Sequence, residues 1–329
     1  MITYNGSVLK VGSSWLTKDV DYNPLGLPPY TIRLRFVDNF NPLPLDKGTG
    51  VQVSSGAGAN IWDITYENGD WGSLLGAKSH FIVEVLGANT SEVYAFSSLF
   101  NSAQITTLPL FDTHNAYYMN HMFDNCRNLK SIPAFDTSDV RRMEYMFSLC
   151  FDLETVPLLN TSNVTTMSHM FDMSFYATNN KLTTVPLFDM SSVTDTAYMF
   201  CNCTALNSVP LLNLSSVTAM NGMFDLCSSI ETVPTFNTSS AINMSGMFNH
   251  CTSLTAVPLL NTSNVTNVSG MFSYCTSVES GALALYTQMS TQTTPPSVHG
   301  YCFSNCGSNT VTGAAELAQI PQSWGGTAT

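Results

Sequence analysis

Nine cysteines and six histidines are the side chains of this 329-residue chain with the widest chemistry open to them: nucleophilic attack, disulfide formation, metal ligation and proton transfer. Their spacing argues against most of it. Cys126, Cys150, Cys203, Cys227, Cys251, Cys275 and Cys306 fall at one recurring slot. In a stacked chain such residues point the same way rather than at each other, which suits a buried thiol ladder better than disulfides. Cys201 and Cys203 have no second pair at zinc-finger spacing to complete a metal site. His80, His114, His121, His169, His250 and His299 stand in no motif with a nucleophile or a carboxylate pair. His121 and His169 do share a slot, which suggests the solvent side of their segment. No nucleotide-binding loop, metalloprotease helix or nucleophile elbow occurs. The expectation is a protein that is not an enzyme and uses neither cofactor nor metal.

A third series is Asp112, Asp136, Asn160, Asp189, Asn213, Asn237 and Asn261. A calcium ladder would favour carboxylates, and Asp and Asn interchange here. What the two share is a side-chain oxygen that accepts a backbone N–H, so a turn or cap is expected. The Asn-x-Ser/Thr sequons at Asn160 and Asn261 read as the same turn chemistry.

These series are columns of one repeat. Phe100, Phe123, Phe147, Phe171, Phe200, Phe224, Phe248, Phe272 and Phe303 mark it, and most intervals, such as Phe123 to Phe147, are 24 residues. A fixed period of this size signals a solenoid. The unit from Leu254 to Cys275 has two halves. Leu254, Val257 and Leu259 read as a short strand with an inward face. Val268, Met271, Phe272 and Cys275 fall at i, i+3, i+4 and i+7, the one-face spacing of a short helix or helical turn. Parallel strands stack about 4.8 Å apart, so about nine coils predict a core of about 40 Å. Pro109, Pro133, Pro157, Pro186, Pro210, Pro234 and Pro258 sit in the strand half, where a residue without an N–H is unwelcome. Either the strand stops before each proline or the bond pattern skips it.

The text MFxxCxxLxxVPLLNTSNVTxMSxMF resembles the BspA-like leucine-rich repeats in their bacterial-surface variant, over roughly residues 82–306. The resemblance implies a right-handed leucine-rich-repeat solenoid and adhesive or recognition roles at cell surfaces. It departs from the family at Ser174, where Cys is expected, in its proline-bound strands, and in showing no charged-then-apolar export leader at Met1–Lys10. The leader and the module after it resemble, more weakly, those preceding such repeats in gut-phage and prophage proteins of Bacteroidales.

The expected fold class is therefore an α/β repeat, a solenoid of about nine 24-residue coils with a small N-terminal β-rich module. Residues 1–20 are an arm or anchor and 21–81 the β-rich module, with strands expected at Tyr30–Val37, Gly50–Val53 and Asn60–Tyr66. Residues 20–30, with three prolines, read as a linker. The solenoid covers 82–306 and a C-terminal cap 307–329, with helices expected over Ser280–Ser290 and within Thr312–Trp324.

Charge excludes some partners. The net charge is −12, and Lys181 is the last basic residue. Phosphate backbones and anionic membranes need clustered Lys and Arg, so neither nucleic acid nor membrane insertion is expected. Lys130, Arg127, Arg141 and Arg142 form the one basic cluster. Candidate ligand-binding residues are those of the five-residue insertion, Phe175, Tyr176, Asn179 and Asn180, because loops on rigid scaffolds often carry function. Candidate assembly residues are Tyr4, Val8, Leu9, Val11 and Trp15 of the arm. The reading is a non-enzymatic phage virion protein, tail- or head-attached. Its arm would meet other virion proteins and its solenoid a host surface glycan or protein, with homo-oligomerisation open. A bacterial cell-surface adhesin and a purely structural virion decoration are the alternatives.

Overall fold

The computed structural model describes residues 2–4, 7–9, 23–43, 45, 48–55, 60–66, 70–71, 75–174 and 180–328, the first two of these segments as strand backbone only. Strands β1 (Ile2–Tyr4) and β2 (Ser7–Leu9) pair antiparallel as a two-stranded sheet. A second, antiparallel sheet has the order β4-β5-β3-β6, from β3 (Thr31–Phe36), β4 (Thr49–Ser54), β5 (Ile61–Thr65) and β6 (Ile82–Asn89). Period-two alternation makes β3 a sheet strand. Ile32, Leu34 and Phe36 are buried, while Arg33 and Arg35 pair across strands with Asp63 and Glu84 at 2.6 and 2.7 Å. The described part of the proline-rich stretch is no free linker: Leu27 is buried and its carbonyl accepts the Asn89 amide at 2.9 Å.

The β-module and the repeats share backbone. The carbonyl of Ile82 in β6 accepts Gln104 N–H at 2.8 Å, and Trp71 N–H bonds Ala95 O at 2.8 Å. From there one parallel ladder runs Asp70, Ala95, Tyr118, Arg142, Thr166, Asp195, Ala219, Asn243, Asn267, Val298, each residue bridged to the next. This ladder makes the chain a repeat solenoid.

Of the two forms expected for the second half of each repeat, a short helix or a helical turn, the helix is absent, and a chain of turns stands there. Alternate N–H groups go to different partners. In one coil, Tyr145, Phe147 and Leu149 donate to Ser168, Met170 and Asp172 of the next coil at 2.9–3.1 Å. Between them, Met146, Ser148 and Cys150 bond back three residues to Met143, Tyr145 and Phe147 at 3.2–3.3 Å. A helix would need all of these N–H groups for its own i−4 carbonyls. The segment also turns left-handed, twice in most coils, as at Tyr145 and Leu149, both at φ 56°, which no α-helix allows. The inward set was nonetheless correct: Met143, Met146, Phe147 and Cys150 are all fully buried. Phenylalanines stack from coil to coil at 5.1–6.1 Å between ring centres, through 171–200 despite the longer interval there.

The other half of the unit needs a second correction. Leu254, Val257 and Leu260 point inward, while Leu259 is 57% exposed. The inward period is three, the period of a polyproline-II segment, because the proline holds the chain there. One inter-coil bond forms three residues before the proline, as from Lys130 N to Thr106 O at 2.9 Å and from Glu154 N to Lys130 O at 3.0 Å. After it the chain closes a tight turn, as from Phe135 N to Pro133 O at 2.9 Å. Proline therefore stands where the ladder asks for no N–H.

Buried threonines tie the next corner. Thr113, Thr137, Thr161 and Thr238 each donate a hydroxyl to the Asp or Asn carbonyl one coil on, at 2.8–2.9 Å. Among the described residues, helix is confined to the C-terminal end: α1 (Ala282–Thr291), α2 (Val311–Leu317) and a 3-10 turn at Gln322–Trp324, besides one 3-10 turn at Gly76–Phe81 in the module. The longest interval between anchors, Phe272 to Phe303, accommodates α1. Glu316 of α2 accepts Gly281 and Leu283 N–H at 3.3 and 3.1 Å, which caps the start of α1. Trp324 closes the stack beneath His299, 4.1 Å away and nearly parallel.

Candidate binding face

The residues with most chemistry are structural. Each described cysteine is a free, buried thiol. Of the recurring slot, Cys126, Cys150, Cys203, Cys227, Cys251 and Cys275 donate to the carbonyl of a preceding phenylalanine, Cys126 to Phe100 at 2.9 Å and Cys227 to Phe200 at 3.0 Å. Burial pushes every thiol up, Cys201 and Cys306 to about 12, so the nucleophilic thiolate is suppressed. At Ser174, where the column breaks, the hydroxyl instead bonds Asp172 and the Cys201 sulfur. No group of three or more His, Cys, Asp or Glu side chains could hold a metal ion among the described residues. In the Asp/Asn series, the side-chain oxygen of all seven accepts the N–H two residues on, at 2.9–3.2 Å. They are Asx turns, and Asp189 is held below the ordinary carboxylate range by its two bonds to Ser191.

Of the insertion residues, Phe175, Tyr176 and Asn179 lie outside the described residues. Asn180 is buried and spent inside the fold. Its Nδ2 donates to Asn202 O and Thr204 Oγ1 at 2.8 and 3.1 Å, and its Oδ1 accepts Ala205 N–H at 3.1 Å. It clamps coils and is not offered to a ligand, because all its polar groups are satisfied in the interior. Tyr4, Val8 and Leu9 belong to the β1–β2 hairpin, whose side chains are not described, and Val11 and Trp15 lie outside the described residues. The basic cluster splits up. Arg127 lies over Phe151, Arg141 over Tyr117, and Arg142 pairs with Glu144 at 2.5 Å.

What sequence reading missed stands on the outer face of the turn half. Tyr94 and Tyr117 occupy one column six residues before the phenylalanine, and Tyr118 the next column. They are 46%, 42% and 36% exposed. Tyr117 and Tyr118 meet edge to face at 4.8 Å, and Tyr117 N–H bonds Tyr94 O at 2.7 Å. Beside them a second column runs two residues before the phenylalanine. His121, Tyr145, His169 and Tyr198 stack with ring centres 4.4–4.9 Å apart. His121 and His169 are anchored through Nδ1 to Asp124 and Asp172 at 2.9 and 2.6 Å. All four rings sit at φ 55–56°, where later coils place Gly222, Gly246 and Gly270. Stacking offsets that local strain, each aromatic pair contributing about 0.5–1.5 kcal/mol. The column's ring faces cover one another, whereas the Tyr117 ring meets only Arg141 and the edge of Tyr118 among the described ring contacts. A column-by-column comparison would have found Tyr94 and Tyr117, since later coils carry mostly threonine at the Tyr94 position.

The arrangement defines a parallel repeat scaffold that presents an aromatic surface. A family model described as "Mycoplasma protein of unknown function, DUF285" matches residues 72–184 and again 172–286. The chain belongs to that family. No curated protein matches it. Among solved structures it is similar to a leucine-rich repeat protein from Eubacterium ventriosum, at 14% identity and a TM-score of 0.38, over 64% of this chain and 61% of that one. It is also similar to a chain of the TLR13-ssRNA13 complex, at 15% identity and a TM-score of 0.22, over 58% of this chain and 34% of that one. The match spans less than two thirds of either chain, and the solenoid described above rests on its own ladder.

Proposed function

We propose that this protein is a non-enzymatic recognition protein, an adhesin whose solenoid contacts a host surface through the face carrying Tyr94, Tyr117 and Tyr118. The supporting observation is the exposure of three neighbouring tyrosines on a backbone fixed by inter-coil bonds. Tyrosine is enriched at binding hot spots, and a rigid platform lowers the ordering cost of binding. The proposed setting is a virion, with residues 1–20 attaching the protein to other virion proteins. The second reading, a bacterial cell-surface adhesin, is favoured by a family description that names bacterial chains.

The test is capture of the full chain by a panel of bacterial cell envelopes, with the Tyr94→Ala/Tyr117→Ala/Tyr118→Ala variant alongside. At least one envelope is expected to retain the native chain, and the triple variant is expected to lose about tenfold or more in affinity. Deleting residues 1–20 is expected to leave capture intact while abolishing incorporation into particles. Equal capture of the triple variant, at unchanged melting temperature, would exclude this face.

A further inference from the structure

We propose that the ligand of this face is an uncharged polysaccharide strand lying along the solenoid axis. The proposal rests on the recognition reading above and names its ligand class.

Charge comes first. The cations in the columns of this face are Arg141 and Arg142. Arg142 gives Nε and one terminal nitrogen to Glu144 at 2.7 and 2.5 Å, and Arg141 donates to Asn163 at 3.3 Å and lies over Tyr117. Only Arg142 is neutralised by a carboxylate, but a chain of net charge −12 as a whole repels polyanions.

The polar groups point the same way. Beyond the tyrosines the column of Tyr94 continues as Arg141, Thr165, Thr194, Thr218, Ile242 and Thr266, and the neighbouring column as Arg142, Thr166, Asp195, Ala219, Asn243 and Asn267. Past the two arginines, Asp195 is the single charge in both runs. The four threonine hydroxyls donate backwards to the carbonyl of the preceding coil at 3.1–3.3 Å. Asn264 likewise spends its Nδ2 on Ser239 O at 2.8 Å. With their donors used internally, these groups offer lone pairs outward. A row of threonine acceptors suits a ligand rich in hydroxyl donors. Tyr94 and Tyr117 add flat rings on which the C–H face of a sugar can rest. The threonine coils follow one another at the parallel-strand spacing of about 4.8 Å, so a polymer of like units meets like groups over Thr165, Thr194 and Thr218.

The experiment uses the full chain and the envelopes that capture it. Soluble polysaccharide released from those envelopes is split on an anion exchanger into an unretained, neutral fraction and a retained, acidic one, and each competes for capture. The neutral fraction is expected to displace the protein, periodate oxidation of the envelopes to abolish capture, and protease treatment to leave it. Tyr94→Ala/Tyr117→Ala should weaken capture about tenfold at unchanged melting temperature. Competition by the acidic fraction alone, or capture lost to protease and kept after periodate, overturns the glycan assignment while recognition stands. If no envelope captures the chain, the recognition reading itself falls.

Discussion

Replacing Phe200 by Ala is expected to lower unfolding stability by about 3–5 kcal/mol, read from the shift of the urea midpoint. Phe200 is fully buried, and its ring stacks on Phe171 and Phe224 at 5.5 Å on both sides. The cavity would open in the middle of a stack in which each coil is held by its neighbours alone. The backbone around it is fixed by bonds to the next coil, Phe200 N–H to Met223 O at 2.9 Å among them, so collapse to fill the space is limited. Leu211→Ala is the control. Leu211 is as apolar but 62% exposed, at the position just after Pro210, and its removal should change stability by no more than about 0.5 kcal/mol. Equal losses for the two would mean that the inward register is wrong.

The second large effect concerns the end of the aromatic column. Gly222 has φ +62°, and a Cβ there would overlap the ring of Tyr198. Gly222→Ala therefore incurs about 1–2 kcal/mol for a left-handed alanine and also drives Tyr198 off its stack on His169. Gly270 has nearly the same φ, +63°, with open space where its Cβ would stand, so Gly270→Ala isolates the backbone cost. We expect Gly222→Ala to be the more destabilising of the two by about 1 kcal/mol or more, and the excess to vanish in a Tyr198→Ala background. An excess that persists without the tyrosine ring would show that the clash lies elsewhere.

Both predictions turn on features that the sequence discloses unequally. The phenylalanine, methionine and cysteine columns were legible because burial in a stack imposes a strict period, and one strong residue type marks it. The Asx turns were legible because the argument was local, needing only an oxygen two residues ahead of an N–H. The spacing left helix and turn open because i, i+3, i+4, i+7 is also the inward pattern of a turn chain that becomes left-handed at Tyr145 and Leu149. Non-glycine residues in that conformation leave no compositional mark. Leu259 was misplaced because period two was assumed where Pro258 enforces period three. Asn180 looked like loop tip and proved to be a clamp, since its partners lie more than 20 residues away in sequence. Tyr94, Tyr117 and Tyr118 were overlooked because each is ordinary within its own coil and unusual only down the column.

Radical footprinting of tyrosine side chains, on the full chain with and without a capturing envelope, tests the central claim most directly. Tyr94, Tyr117 and Tyr118 are exposed at one end of the array, and Tyr301, 75% exposed in the last coil, serves as internal reference. Binding through the proposed face should protect the first three and leave Tyr301 labelled as before. Protection of Tyr301 with Tyr94 and Tyr117 still labelled would contradict it.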